Sequence, residues 1–275
     1  MTVTSPKFKI GIVGCGAIGS RIAQSVQTDL KKYCVLAGAY DIVPSKVKSV
    51  EKKLSIKNIA KKSLPDLIEA CDLVVEAVAS TDTRAIIQKI LQAKKSVLVM
   101  SIGQLLEAQD LFTLAERQHC HILVPSGAVS GIDALKAASL VNISSATLTT
   151  RKHPSGLSQS PYIREQNIDL STVQSETVIF DGSVKDAVKW FPANINVAAT
   201  IALSAQLKDK LRVRIVVSPK FSTNSHELDV TGEFGRMVSR TDNVVCPDNP
   251  KTSYLAVLSA VQTLKQYFQF IKIGT

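Results

Sequence analysis

The sequence predicts an α/β protein: a doubly wound parallel sheet, then a second α+β domain carrying a mostly antiparallel sheet. Three observations lead there. Short apolar runs alternate with amphipathic stretches over the first 125 residues, and a G-x-G-x-x-G pattern follows the first run. Beyond GAVSG (127–131) the rhythm changes to strand-like stretches separated by fewer helices.

In order, FKIGIV (8–13), VLAGAY (35–40), LVVEAV (73–78), SVLVM (96–100) and HILVP (121–125) read as strands. Their near-continuous apolar character suits strands covered on both faces. Helical spacing occupies 17–28, 44–54, 82–93 and 105–118. After the change, SATLTTRK (145–152), ETVIFDG (176–182), LRVRIVVS (211–218) and TNSHELDVTGEF (223–234) have antiparallel character, with helices expected near 183–190 and 193–206. The turn-rich stretch 153–172 reads as a long loop. A last helix over about 251–269 closes the series. The expected domains are 1–130, 131–248, and a C-terminal segment 249–275 returning to the first.

With 45% hydrophobic residues in 275, the chain suits a globular protein, and no apolar run is long enough for a bilayer. The start, MTVTSPKFKI, has no secretion-signal pattern. Five scattered cysteines without a C-x-x-C pair predict free thiols in a reducing cytoplasm, neither disulfides nor a metal site. The net charge of +10 is densest in KVKSVEKKLSIKNIAKK (46–62). That stretch has no aromatic for a base to stack on, so it reads as a solvated lysine face and predicts no nucleic-acid partner.

The glycines of GIVGCGAIGSRIA follow a strand and open a helix, the setting of a Rossmann-type dinucleotide loop. Gly14 permits the tight turn, Gly16 lets backbone approach a pyrophosphate, and Gly19 lets helix and strand pack closely. Gly14, Gly16, Ala17, Ile18 and Gly19 are therefore candidate cofactor contacts, with Cys15 an inert member of the loop. Asp41, 22 residues after Gly19, ends the second strand, where a carboxylate binds ribose hydroxyls and favours NAD. NADP stays open, because Lys46 and Lys48 are within reach of a 2′-phosphate.

In TNSHELDVTGEF, His226, Leu228, Val230 and Phe234 share one parity, and Glu227, Asp229, Thr231 and Glu233 the other. On a strand this puts the imidazole on the apolar face and the acids outside. By pattern alone, His226 is either a satisfied core residue or a group aimed at a covered site. His119 and His121 lie at the wrong end of a strand, and His153 opens the polar stretch. Glu227 and Asp229 face away, so the group orienting His226 must come from elsewhere; Asp133 is one option.

Together with the glycine loop, VPSGAVSGIDAL (124–135), FPANINVAATIAL (191–203), NSHELDVTG (224–232) and NPKTSYLAVLS (249–259) resemble the L-aspartate dehydrogenase family. The resemblance implies NAD(P)-dependent oxidative deamination of L-aspartate, through iminosuccinate, to oxaloacetate and ammonia, feeding NAD biosynthesis. It further implies a Rossmann domain plus an α+β domain, working as a homodimer. His226 matches the family's catalytic histidine, and Ala128 and Asn196 match its nicotinamide-end contacts. Asn194 competes with Asn196 on helix chemistry alone, behind Pro192; the motif favours Asn196. No residues emerge for clamping the substrate carboxylates. Two alternatives remain: a homoserine-dehydrogenase-like or dihydrodipicolinate-reductase-like oxidoreductase, and a non-catalytic dinucleotide-binding regulator.

Overall fold

FKIGIV folds as strand β1 (Phe8–Val13), its last four residues buried, as a strand covered on both faces requires. It belongs to the first of two units in the computed structural model, which describes residues 7–78, 82–191, 195–247 and 249–274. That unit comprises Met1–Pro125 and Ala260–Phe270; the second comprises Ser126–Ser259 and Ile271–Thr275. Pro192 and Asn194 lie outside the described residues.

After β1 come α1 (Ala17–Gln27), β2 (Cys34–Tyr40), α2 (Pro44–Leu54), α3 (Leu64–Glu69), β3 (Leu73–Glu76), α4 (Thr83–Gln92), β4 (Ser96–Val99), α5 (Gln109–Gln118) and β5 (Ile122–Leu123). The strands pair in parallel in the order β2-β1-β3-β4-β5. The winding reverses between β1 and β3, and sheets of this kind bind ligands beyond the strand carboxyl ends at such a point. α1 buries Gly19, Ile22, Ala23 and Val26, the i, i+3, i+4, i+7 stripe of a helix lying on a sheet. Complete burial of Ile22 alone contributes about 2 kcal/mol. α2 keeps the expected bounds: Pro44 starts it, and Ser55 ends it at a left-handed φ of 52°.

Two details depart from expectation. α3 is unforeseen, although Ser63 caps it by accepting the Asp66 N–H, with Pro65 in its first turn. The helix expected over 105–118 is a short 3-10 turn, Ile102–Leu105, followed by α5 from Gln109.

The second unit holds α6 (Ile132–Ala138), β6 (Ile143–Lys152), α7 (Pro161–Glu165), β7 (Thr177–Ser183), α8 (Val184–Trp190), α9 (Asn196–Ser204), β8 (Leu211–Val217), β9 (Asn224–Gly232), β10 (Gly235–Asn243), β11 (Val245–Cys246), β12 (Asn249–Ser253) and α10 (Tyr254–Phe268). From Ala260 on, α10 belongs to the first unit. There Phe268 meets Phe8 edge-on at 5.2 Å and stacks on Tyr33 at 5.8 Å between ring centroids.

The main sheet of the second unit runs β10-β9-β6-β8-β7 and is antiparallel except for the parallel pair β6–β8. Its register puts Leu148 beside Val213 and Leu228, and Thr150 beside Ile215 and His226. Cross-strand partners project from one face, and all these residues are buried. α8 and α9 pack on β8, and α6 packs on α9. The opposite face carries ion pairs, Arg151 with Glu227, Arg236 with Asp229, and Arg212 and Arg214 with Asp181.

Several expectations need correction here. Residues 153–172 fold into 3-10 turns at Pro154–Leu157 and Leu170–Thr172 with α7 between them. Phe234 does not extend the buried stripe of β9. The strand ends at Gly232, Gly232 pairs with Gly235, and Phe234 sits in the two-residue hairpin turn, 37% exposed. β10, unforeseen, is the other arm of that hairpin. β12 precedes the final helix, and helices expected over 193–206 and 251–269 are α9 and α10 with tighter ends.

Candidate active site

The glycine loop occupies the turn from β1 into α1. Gly14 has a φ of +90°, and an ideal Cβ there would fall 2.4 Å from the Ala77 carbonyl oxygen. A Cβ on Gly19 would fall 1.9 Å from the Gly14 oxygen, so only glycine permits this helix–turn contact. At Gly16 a Cβ would meet nothing within 4 Å. Gly16 is also the N-cap of α1, which has no side-chain cap and no acid in its first turn. Ala17 and Ile18 form that first turn. Open space in front of uncapped helix N–H groups fits the pyrophosphate of a dinucleotide.

Asp41 follows β2 and is buried. Its Oδ2 accepts the Cys15 N–H and its Oδ1 the Val43 N–H, each at 2.8 Å. One carboxylate thus braces the glycine loop, while each oxygen keeps a further lone pair for a ribose hydroxyl. Lys46 Nζ stands 3.8 Å from Oδ1. Burial, reinforced by the Asp41 charge, pushes the Cys15 thiol up to about 12, which makes it inert as a nucleophile.

Glu76, at the end of β3, does not stand out in the sequence reading, although an acid inside the run LVVEAV is a signal. It is fully buried. Oε1 accepts from Val78 N at 2.9 Å, and Oε2 from Met100 N and Ser101 N at 3.2 and 3.1 Å. It ties together the loops after β3 and β4. Burial raises its pKa against these hydrogen bonds.

His226 lies on β9, 4% exposed, between Thr150 of β6 and Thr241 of β10. Its Nδ1 is 3.0 Å from Thr150 Oγ1. Burial first, and the Lys152 cation second, push its pKa down to about 3, so the ring is neutral at ordinary pH. A hydroxyl, not Asp133 or another carboxylate, therefore holds the imidazole. Lys152 escapes the sequence reading. It ends β6 two residues after Thr150, on the same face, and burial lowers its ammonium to about 8. The sequence signal is there: Ala146, Leu148, Thr150 and Lys152 share the parity of the apolar face.

The other three histidines are accounted for. His119 ends α5 in a left-handed conformation, His121 meets Tyr267 edge-on at 5.8 Å, and His153 Nδ1 accepts the Ser155 N–H at 3.3 Å.

Ala128 lies in the loop between Gly127 and Gly131, both at positive φ. Its carbonyl accepts from Asn243 Nδ2 at 3.0 Å, and the Ser130 N–H donates to Thr241 Oγ1 at 3.1 Å. Thr241 is the cross-strand partner of His226, and Asn243 is two residues on. The Ala128 loop therefore lies on the His226 face of the sheet, joined to it through β10. Asn196 is the first residue of α9, with its side chain exposed.

Residues 133–267 match the family model of the aspartate dehydrogenase C-terminal domain, and residues 14–125 that of the homoserine dehydrogenase NAD-binding domain. NAD(P) is the cofactor that the first unit's loop and carboxylate fit. L-aspartate dehydrogenase of Methanosarcina mazei is 42% identical over 98% of this chain and all of its own length. The Nitrosopumilus maritimus L-aspartate dehydrogenase is 35% identical over 97% of this chain and 99% of its own. Aspartate dehydrogenase from Thermotoga maritima shares the fold, with a TM-score of 0.71 at 22% identity over 98% of this chain and all of that one. End-to-end alignment at such identity, through both units, means that the chain belongs to the L-aspartate dehydrogenase family.

Proposed function

We propose that this chain oxidises L-aspartate: L-aspartate, NAD(P)+ and water give oxaloacetate, ammonium, NAD(P)H and a proton, through iminosuccinate. The observation that carries the reading is a neutral, buried imidazole held by Thr150, in a chain aligned end to end with L-aspartate dehydrogenases. When bound, the nicotinamide supplies the hydride acceptor. His226 takes a proton from the substrate ammonium, freeing the nitrogen lone pair that expels the Cα hydride. That proton is released to solvent as the one in the overall equation, and the neutral ring then deprotonates the water that adds to the imine carbon and returns this second proton to the departing amine. Gly14, Gly16, Ala17, Ile18 and Gly19 hold the pyrophosphate, and Asp41 the adenosine ribose. The Ala128 backbone and the Asn196 amide serve the nicotinamide end. Asp41 favours NAD, with Lys46 leaving room for NADP.

The wider reading is a cytoplasmic homodimer that supplies iminosuccinate to NAD biosynthesis. All five cysteines are free, in keeping with a reducing compartment, and no described helix is long and apolar enough to cross a membrane. The test is purified protein with NAD or NADP, screened against L-aspartate, D-aspartate, L-homoserine and L-glutamate while reduced cofactor is followed. L-Aspartate should be preferred; equal or better turnover of L-homoserine would refute the reading. His226→Ala should lower kcat about 10²–10⁴-fold with NADH affinity unchanged.

A further inference from the structure

Buried backbone outside helices and strands has to find its hydrogen bonds in side chains. Segment 127–131 is such backbone, with Gly127, Ala128 and Val129 buried. Its partners come chiefly from one strand. Ser239, Thr241 and Asn243 alternate along β10 and so share the face that carries His226 on β9, Thr241 being the direct cross-strand partner of the imidazole. Ser239 Oγ donates to the Ser130 carbonyl at 3.0 Å, Thr241 Oγ1 accepts the Ser130 N–H at 3.1 Å, and Asn243 Nδ2 donates to the Ala128 carbonyl at 3.0 Å. Gly131 permits the close approach, since a Cβ there would fall 2.9 Å from Ser239 Oγ. Asn243 is the unusual member of this row. It is 3% exposed, and its Nδ2 faces two carbonyl oxygens, that of Ala128 and, at 3.5 Å, that of Thr241. An oxygen in that place could pair with neither, so the orientation of the amide is fixed. Oδ1 is left on the other side, buried and without a hydrogen-bond partner among the described residues. An orphaned acceptor loses its hydration and gains no bond in return, so the amide is a poor choice for stability alone. What it does supply is a grip on the Ala128 carbonyl.

We infer that Asn243 is a positioning residue for the cofactor: by holding the Ala128 carbonyl it sets the backbone that meets the nicotinamide end, in register with His226. The inference rests on the proposed role of Ala128 and adds the group that fixes it in place. β10 thereby serves both sides of the chemistry. Through its backbone ladder it holds the strand that bears the imidazole, and through Ser239, Thr241 and Asn243 it holds the loop that bears Ala128. A shift of that loop changes the spacing between the hydride acceptor and the acid–base ring. Such spacing is costly to lose, about 10²-fold in rate for about 1 Å.

The test compares wild type with three variants. Asn243→Leu keeps the size and removes the donor, Asn243→Gln keeps an amide, and Val238→Ala changes the exposed opposite face of β10. Each is titrated calorimetrically with NADH and with ADP-ribose, which carries every part of the dinucleotide except the nicotinamide, and its thermal unfolding is followed. Asn243→Leu should weaken NADH binding about three- to tenfold, the worth of one hydrogen bond, with ADP-ribose affinity unchanged and thermal unfolding close to wild type. Its L-aspartate turnover at saturating cofactor should fall about 10- to 100-fold. Asn243→Gln should recover part of both losses, and Val238→Ala should match wild type. Unchanged NADH affinity in Asn243→Leu overturns the inference. So does a loss of NADH binding that comes with a clearly lower unfolding temperature or that Val238→Ala shares, which marks a structural role. A wild type that does not oxidise aspartate, with Asn243→Leu still weakening NADH and not ADP-ribose, keeps the positioning role and refutes the functional reading instead.

Discussion

Thr150 Oγ1 sits 3.0 Å from His226 Nδ1, across a directly paired position of two antiparallel strands. A carboxylate partner would favour the imidazolium; a hydroxyl both donates and accepts, so it serves either neutral tautomer. His226 thus keeps its lone pair available without being pulled toward a permanent charge. Thr150→Val preserves shape and removes this bond. Steady-state kinetics should show kcat lowered about tenfold, which is about 1.4 kcal/mol at the transition state, with NADH affinity unchanged. Thr150→Ser should recover most of it. Full activity in the valine variant would mean that packing alone orients the ring.

Burial of His226 also has a signature in stability. Its folded pKa of about 3 lies below the ordinary value of 6.5, so between these values the unfolded chain binds the proton and the native protein does not. The His226 contribution to stability is constant above pH 6.5 and declines as pH falls from 6.5 toward 3. At pH 5 the decline is about 2 kcal/mol. Lys152 acts in another window: with a folded pKa of about 8 against 10.5, it lets stability rise between those values. Urea unfolding of His226→Gln across pH 5–6.5 should show a shallower acid slope than wild type. Parallel slopes would contradict a buried neutral imidazole.

Asp41 braces the loop amides of Cys15 and Val43, and the proposed function adds a second role, receiving the ribose. Asp41→Ser removes the charge that repels a 2′-phosphate and leaves Lys46 free of its ion-pair partner. Hydrogen bonds to charged groups contribute about 1.5–3 kcal/mol, so the NAD:NADP ratio of kcat/KM should drop about 10- to 100-fold. A ratio that does not move would remove Asp41 from cofactor selection.

Much of this arrangement is legible in the sequence because it is periodic. β9 alternates as TNSHELDVTGEF suggests up to Gly232, where hairpin geometry overrides parity and turns Phe234 out. The glycine loop is legible because each glycine answers a distinct steric demand. What escapes has a physical reason too. β10 (GRMVSRTDN) is an edge strand with exposed positions throughout most of its length, so it lacks the apolar signal. Short helices such as α7 give too few residues for a period to show. Lys152 and Glu76 look like ordinary charges, whereas each occupies a position whose neighbours in the pattern are apolar, and that contradiction is the available clue.

Glu76 offers the sharpest check on the first unit. Its carboxyl receives the N–H groups of Val78, Met100 and Ser101 in a fully buried setting. Ser101 Oγ lies 2.9 Å from Oε1 and 2.6 Å from the Val78 carbonyl oxygen, and its one proton cannot serve both. Ser101 Oγ donates to one or the other of these acceptors, and burial raises the Glu76 pKa against the hydrogen bonds its carboxyl accepts. Because the folded pKa exceeds the ordinary value of 4.5, this contribution is complete below pH 4.5 and fades as pH rises through the folded value. Glu76→Val leaves the Val78 and Ser101 N–H groups without their carboxylate acceptor, at about 1–3 kcal/mol each before relaxation, while the Met100 N–H keeps the residue-76 carbonyl oxygen at 3.0 Å. Urea unfolding at pH 7 should show a loss of at least about 2 kcal/mol. Glu76→Gln retains one oxygen for Met100 and Ser101 and should fall between the valine variant and wild type. A valine variant within about 1 kcal/mol of wild type would show that the loops after β3 and β4 hold themselves without Glu76.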